Sequence, residues 1–169
     1  MKFPGYALTV ATLLMMALPG FAVDGKKKAE TPSQVPVRFS NPSTMAKPVS
    51  TYSQVAEVTG GKMVFIAGQV ALDPAGKFVG EGDFRAQVEQ IFKNIKLAVE
   101  AAGGSMSDLI KTNYYVAESV DPVQYGAVRE VRDQYINKSA PPTSTFVVVK
   151  RLVRPEYLIE IEAVAVVKK

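Results

Sequence analysis

The sequence predicts an α+β fold in which a mixed, mostly antiparallel sheet carries two helices on one face. Two observations lead there. From Ser50 onward, short runs rich in Val, Ile, Phe, Tyr and Thr alternate with two stretches whose apolar residues recur every three or four positions. The resulting order is ββ(β)αβαββ, which two amphipathic helices and a sheet satisfy as two packed layers. The chain has 169 residues, 47% hydrophobic and 21% charged. Such a chain makes one domain, buries roughly two-thirds of its unfolded surface and needs no disulfide or metal to fold.

Each element has a local reason. Residues 51–58 and 63–67 are rich in β-formers, and Thr59-Gly60-Gly61 between them reads as a hairpin turn. Asp73-Pro74-Ala75-Gly76 is a second turn signal, leaving Phe78-Val79 to begin a short third strand. Asp83 is an N-cap. Phe84, Val88, Ile91, Phe92, Ile95 and Val99 then share one helical face, which Gly103-Gly104 ends. Residues 109–116 read as a strand. Asp121-Pro122 caps a second helix running to about Asn137, and Pro141-Pro142 stop it. Residues 147–149 and 157–167 are the last strands, with Ile159, Ile161, Val164 and Val166 as their apolar positions. One sheet face stays uncovered by helices, which argues for burial by self-association.

Ahead of the domain, Lys2, an apolar run over residues 6–18 and Pro19-Gly20-Phe21-Ala22 read as a secretory signal cleaved near Ala22. The rival reading, a membrane anchor, needs roughly 20 apolar residues. Residues 23–48 hold Pro32, Pro36, Pro42 and Pro48 without an apolar period, so they read as an extended linker before a domain over residues 49–169. The mature protein is expected in a periplasm or secreted, with no membrane attachment after signal cleavage.

Composition narrows the chemistry. The chain contains no His, no Cys and no Trp. This excludes a Ser-His-Asp triad, a thiol nucleophile and a His/Cys zinc site. Carboxylates, Arg, Lys, Tyr, hydroxyls and backbone groups remain. The net charge of +4 comes from 20 basic and 16 acidic residues, with Lys26-Lys27-Lys28 in the linker. The folded part is close to neutral and has no basic stripe interleaved with aromatics, so no nucleic-acid partner is expected.

Several segments match a known family. Tyr52-Ser53-Gln54, Phe65-Ile66-Ala67-Gly68-Gln69 and Asp73-Pro74-Ala75-Gly76 resemble the opening of the RidA/YjgF proteins, also called the perchloric-acid-soluble protein family. Gln87 and Asn94, then Ala101-Ala102-Gly103-Gly104 and residues 108–112, are similar to that family's middle. Ile159-Glu160-Ile161-Glu162-Ala163-Val164-Ala165 is similar to its ending. The resemblance spans about residues 50–167. It implies a chorismate-mutase-like α+β fold assembled as a homotrimer, with small-molecule clefts between subunits. The activity it implies is hydrolysis of enamines and imines to a carbonyl compound and ammonia, without a cofactor or metal. A ribonuclease label also attaches to the family, but the missing His and the near-neutral domain argue against it.

A 2-imino acid is held by its carboxylate, for which an Arg fork is suited. The family's Arg lies in a Pro-Ala-Arg-Ser segment; here Pro141-Pro142-Thr143-Ser144 matches it, and Thr143 stands at the Arg position. Removing a charged partner of this kind costs about 2–5 kcal/mol. Arg129 stands where the family carries an Asn, and it or Arg132 either takes over anion binding or pairs with Glu130, Asp133 or Asp121 on a solvated helix face. Glu160 aligns with the carboxylate that positions water, the alternative being an alternating strand with Glu160 and Glu162 turned outward. Tyr52 is a cleft wall or a core residue. Ala67 and Gly68 line the strand end, where Gly68 permits close backbone approach. Thr143 and Thr145 are hydroxyl groups at the cleft mouth, and Asp73 is a turn former. The catalytic candidates are therefore Glu160 and Thr143, and the binding candidates Tyr52, Ala67, Gly68, Arg129 and Thr145. A non-catalytic trimeric ligand-binding protein is the alternative function.

Overall fold

A computed structural model describes residues 37–168; the signal expected over residues 1–22 and the linker up to residue 36 lie outside them. The elements are β1 (Val37–Ser40), β2 (Val55–Val58), β3 (Lys62–Gln69), α1 (Phe84–Ala101), β4 (Leu109–Ala117), α2 (Gly126–Arg132), β5 (Thr143–Val149) and β6 (Ile159–Val167). Single 3₁₀ turns stand at Met106–Asp108 and Pro122–Tyr125. The main sheet has the order β3-β6-β4-β5. β6 runs antiparallel to both neighbours, whereas β4 and β5 are parallel, so the sheet is mixed as expected.

Alternation explains the layers. Ile159, Ile161, Ala163 and Ala165 of β6 are buried, and their neighbours Glu160, Glu162 and Val164 are half-buried on the other face. Tyr114 and Val116 of β4 lie opposite Ile161 and Ile159 and join the same side. α1 lays its predicted stripe there, and Val128 and Val131 of α2 enter the same core. Asp83 caps α1 by accepting from the Ala86 N–H at 3.0 Å. Gln87, fully buried, fastens α1 to the entrance of β6. Its amide donates to the carbonyls of Gly80 (2.9 Å) and Glu156 (3.0 Å) and accepts from the Leu158 N–H (2.9 Å).

Several boundaries differ from expectation. Val37–Ser40, assigned to the linker, form a strand paired antiparallel with β2 from Val37↔Val58 to Ser40↔Val55, with an Arg38–Glu57 ion pair at 2.6 Å across it. β3 pairs with β6 instead of β2, because Val64 and Ile66 bury themselves by lying opposite Ala165 and Ala163. Thr59-Gly60-Gly61 therefore passes the chain between sheets, Gly61 adopting φ +96°, and does not close a hairpin. Phe78 makes only an isolated bridge with Leu72. The second helix is shorter than read. Asp121 caps a 3₁₀ turn by accepting from the Val123 N–H, and α2 ends at Arg132. Beyond it, Asn137 accepts the Ser139 N–H with its side chain, a local bond that competes with helix. β5 begins at Thr143, earlier than expected, because pairing with β4 starts at Lys111↔Thr143.

The face away from the helices is uncovered. Phe65 is 77% exposed on it, and Met63 and Val147 are exposed beside it. No helix among the described residues is long and apolar enough to cross a membrane.

Candidate functional site

Glu160 sits on β6, opposite Tyr115 of β4, and faces the uncovered side. Its carboxylate lies directly over the backbone of Gly68 at the end of β3. A Cβ at Gly68 would overlap Glu160 Oε1 and stand 2.8 Å from its Cδ. The irregular register between Ile66 and Gln69 brings this segment toward β6. Glu162, two residues on, is engaged: it accepts from Asn113 Nδ2 at 2.5 Å and from the Tyr115 hydroxyl at 3.1 Å. Loss of water around the Tyr115 phenol, with the Glu162 carboxylate it donates to, holds its pKa above the ordinary 10.0. The two glutamates share a face, yet among the described residues only Glu162 is hydrogen-bonded to neighbouring side chains. Ala67, also exposed, offers its carbonyl to Gln69 Nε2 at 3.0 Å.

A second group gathers at the β5 edge. Tyr52, Lys111, Thr143 and Thr145 line one shallow recess there. Ser53 bridges to Thr143 along that edge, and the Thr143 hydroxyl donates to the Ile110 carbonyl at 3.0 Å. Its proton is thus spent on the backbone, which removes it as a donor to a ligand.

Tyr52 also borders a cavity of about 410 Å³ between α2 and β5. Arg129, Arg132, Tyr114, Tyr125, Ser144 and Phe146 line it as well. The three carboxylates that could have paired Arg129 are engaged elsewhere. Glu130 binds Arg85, Asp133 binds Arg132 at 2.7 Å, and Asp121 caps the 3₁₀ turn. Arg129 stays exposed at the cavity with no ion pair among the described residues.

Within one chain the candidates therefore form two separate sets. Glu160 is opposite Tyr115, and Thr143 is opposite Lys111, four residues earlier on β4 and one strand further out. That places them roughly 13 Å apart along the strands and about 10 Å across them. Glu160, Gly68 and Ala67 belong to the β3–β6 side; Tyr52, Thr143, Thr145 and Arg129 belong to the β5 edge. Tyr114, Tyr125 and Phe146 were not singled out from sequence, because aromatic residues in strands and short helices read first as core. The one signal was the Tyr114 hydroxyl, a polar group at a core position of an alternating strand. Among the described residues no cluster of three His, Cys, Asp or Glu could hold a metal.

Fold and site together define a small α+β protein whose reactive groups are carboxylate, guanidinium and phenol. The chain belongs to the Endoribonuclease L-PSP family, the RidA/YjgF proteins, whose family model matches residues 43–167. A RutC family protein of Pyrococcus horikoshii is 39% identical over 119 residues, covering 70% of this chain and 89% of that protein. The 2-iminobutanoate/2-iminopropanoate deaminase of Dermatophagoides farinae is 28% identical over 133 residues, covering 79% of this chain and 98% of the enzyme. Among solved structures, the Rid family protein YyfB from Yersinia pestis superposes with a TM-score of 0.70 at 34% identity. That comparison covers 78% of this chain and 98% of YyfB.

Proposed function

We propose that this chain is an exported member of the family that acts as a homotrimer and hydrolyses a small enamine or imine in clefts between subunits. One observation carries the reading: the candidate groups form two sets, one on β3 and β6 and one at the β5 edge, too far apart to share a ligand within a chain. In a closed ring, where a different patch of each copy meets the next, Glu160 and Gly68 of one subunit come to face Tyr52 and Arg129 of another. The same ring covers Phe65 and Met63, whose exposure a lone subunit leaves unexplained.

The chemistry follows from the groups present. Water adds to the C=N carbon; Glu160, whose carboxylate has no side-chain hydrogen bond among the described residues, accepts the proton that this water loses and passes it to the nitrogen. The carbinolamine then collapses to a carbonyl compound and ammonia. The 28% identity to an iminobutanoate/iminopropanoate deaminase supports this class of reaction.

A second reading, a non-catalytic ligand-binding trimer, is favoured by residue 143. A Thr whose hydroxyl serves Ile110 supplies no charge to a substrate carboxylate. Generating 2-iminopropanoate in situ and following its decay to pyruvate decides between the two. Decay well above the spontaneous rate, lost in Glu160→Gln, supports the hydrolase. A silent wild type with an active Thr143→Arg variant supports the binding protein.

A further inference from the structure

We propose that Tyr115 is a positioning residue: its ring, pinned through the hydroxyl to Glu162, closes the β4 side of Glu160 and keeps that carboxylate over Gly68. The inference rests on the proposed hydrolase for its catalytic consequence. It does not rest on it for the placement of Glu160, which is a property of one chain.

Asn113 and Tyr115 of β4 share the uncovered face with Glu160 and Glu162 of β6. They stand in two cross-strand rows, Asn113 opposite Glu162 and Tyr115 opposite Glu160. Residues directly opposite on an antiparallel pair have Cβ atoms about 4.5–5.5 Å apart, so each is within reach of its partner. The two glutamates nevertheless turn to opposite sides. Glu162 leans toward β4, where its Oε1 accepts from Asn113 Nδ2 at 2.5 Å and from the Tyr115 hydroxyl at 3.1 Å. Glu160 leans toward β3, where its Oε1 occupies the space that a Cβ of Gly68 would take.

Tyr115 accounts for the difference. It stands in the row of Glu160, yet its hydroxyl reaches Glu162 in the next row. The ring therefore lies lengthwise beside β6 and fills the space between the rows. Glu160 meets that ring if it turns toward β4, and beyond the ring the Glu162 carboxylate repels a second negative charge. The opposite side is open, because Gly68 has no side chain. No charge on β3 draws Glu160 there: Lys62, the lysine of that strand, donates to the Ala102 carbonyl at 2.6 Å. Space on one side and a closed wall on the other thus set the position of the carboxylate.

The pin is a hydrogen bond to an ionised acceptor, the stronger kind. It persists at neutral pH, because loss of water and the Glu162 carboxylate hold the Tyr115 pKa above the ordinary 10.0. A glutamate side chain is rotamer-rich, and a base contributes most when its geometry is fixed before the water arrives.

The Gly68 α-proton in the Cβ direction points at Glu160 Oε1. Its NMR shift, followed while pH is carried through the ordinary carboxylate range, reads that carboxylate without turnover. Glu160→Gln is the blank; it retains Glu162, whose own titration therefore cancels. Wild type should show a movement that the blank lacks. Tyr115→Phe, which keeps the ring and loses the pin, should show a smaller one, and Tyr115→Ala almost none. With imine decay measured alongside, kcat should fall about tenfold in Tyr115→Phe and about 100-fold in Tyr115→Ala, with KM within about twofold of wild type. Tyr115→Phe removes one oxygen from a half-buried ring, so its result stands even where Tyr115→Ala fails to fold. A full Gly68 movement in the variants, or a wild type no different from the blank, would overturn the inference. A fall in kcat with the Gly68 movement intact would overturn it too, since Tyr115 would then act by another route. A silent wild type whose Gly68 movement shrinks in the variants would sink the hydrolase reading and leave the placement of Glu160 by Tyr115 standing.

Discussion

Gly68→Ala separates the position of the Glu160 carboxylate from the stability of the fold. Gly68 does not adopt positive φ, so alanine is conformationally acceptable there. The substitution narrows the unfolded ensemble and so stabilises by about 0.4–1 kcal/mol. Against that, the new methyl overlaps Glu160 Oε1. The obstacle is the far end of a flexible, half-buried side chain, and turning it aside costs about 0.5–1.5 kcal/mol in an off-rotamer setting. The two effects nearly cancel, leaving a net change within about 1 kcal/mol and a Tm within about 5 °C of wild type. Activity has no such compensation. Displacing a catalytic carboxylate by about 1 Å costs on the order of 100-fold in rate. Gly104→Ala is the control, because its methyl would overlap Val167 Cγ1, which is buried and cannot swing away. Overpacking there should cost about 1–3 kcal/mol with little effect on catalysis per folded molecule. Thermal unfolding followed by circular dichroism, beside imine decay, reads both quantities. A Gly68→Ala variant with full activity would refute the role assigned to this contact, and one with a collapsed Tm would show that Gly68 serves the fold.

Other expectations follow from the same geometry. Gln87→Leu should destabilise by about 3 kcal/mol or more, because the Leu158 N–H and the carbonyls of Gly80 and Glu156 all lose their buried partner. Urea unfolding measures it, and a midpoint near wild type would show that those groups find water. Burial, the largest influence, raises the Tyr114 pKa above 10.0, with the Thr112 hydroxyl and Arg132 guanidinium pulling the other way. Its neutral form is therefore favoured in the folded state, so this contribution is complete below pH 10 and fades as pH rises through the raised value. Tyr114→Phe should accordingly lose less stability than wild type between pH 9 and pH 11, though Tyr115 leaves some loss in both. Identical alkaline profiles would contradict the burial of that phenol.

Much of this was legible in the residues. The α1 stripe, the Asp83 cap and the alternation of β6 each follow from local chemistry that packing did not override. The pairing of β3 was not legible: Thr59-Gly60-Gly61 carries a turn signal whichever strand β3 joins, and only the fit of Val64 and Ile66 against Ala165 and Ala163 decides. β1 was hidden because four residues bounded by prolines show no period of their own and gain a partner only in β2. At the site, the family resemblance named Glu160 and Gly68, but the register that brings the carboxylate over Gly68 was not legible. Spacing could not show that the Thr143 hydroxyl is consumed by Ile110, nor that Arg129 is left without its three nearest carboxylates. The Thr143–Ile110 bond and the Arg85–Glu130 ion pair join elements distant in sequence, and the Asp121 and Asp133 contacts depend on side-chain geometry that spacing does not fix.

The central claim is that the uncovered sheet face, with Phe65 on its edge strand β3 and Glu160 on the neighbouring β6, is closed by further copies of the chain. Sedimentation equilibrium of wild type and Phe65→Glu tests it most directly. Wild type should sediment at three times the mass of one chain, and a carboxylate in place of Phe65 should shift the mass toward one chain while circular dichroism stays unchanged. A wild type that sediments as a single chain across micromolar concentrations would contradict the claim.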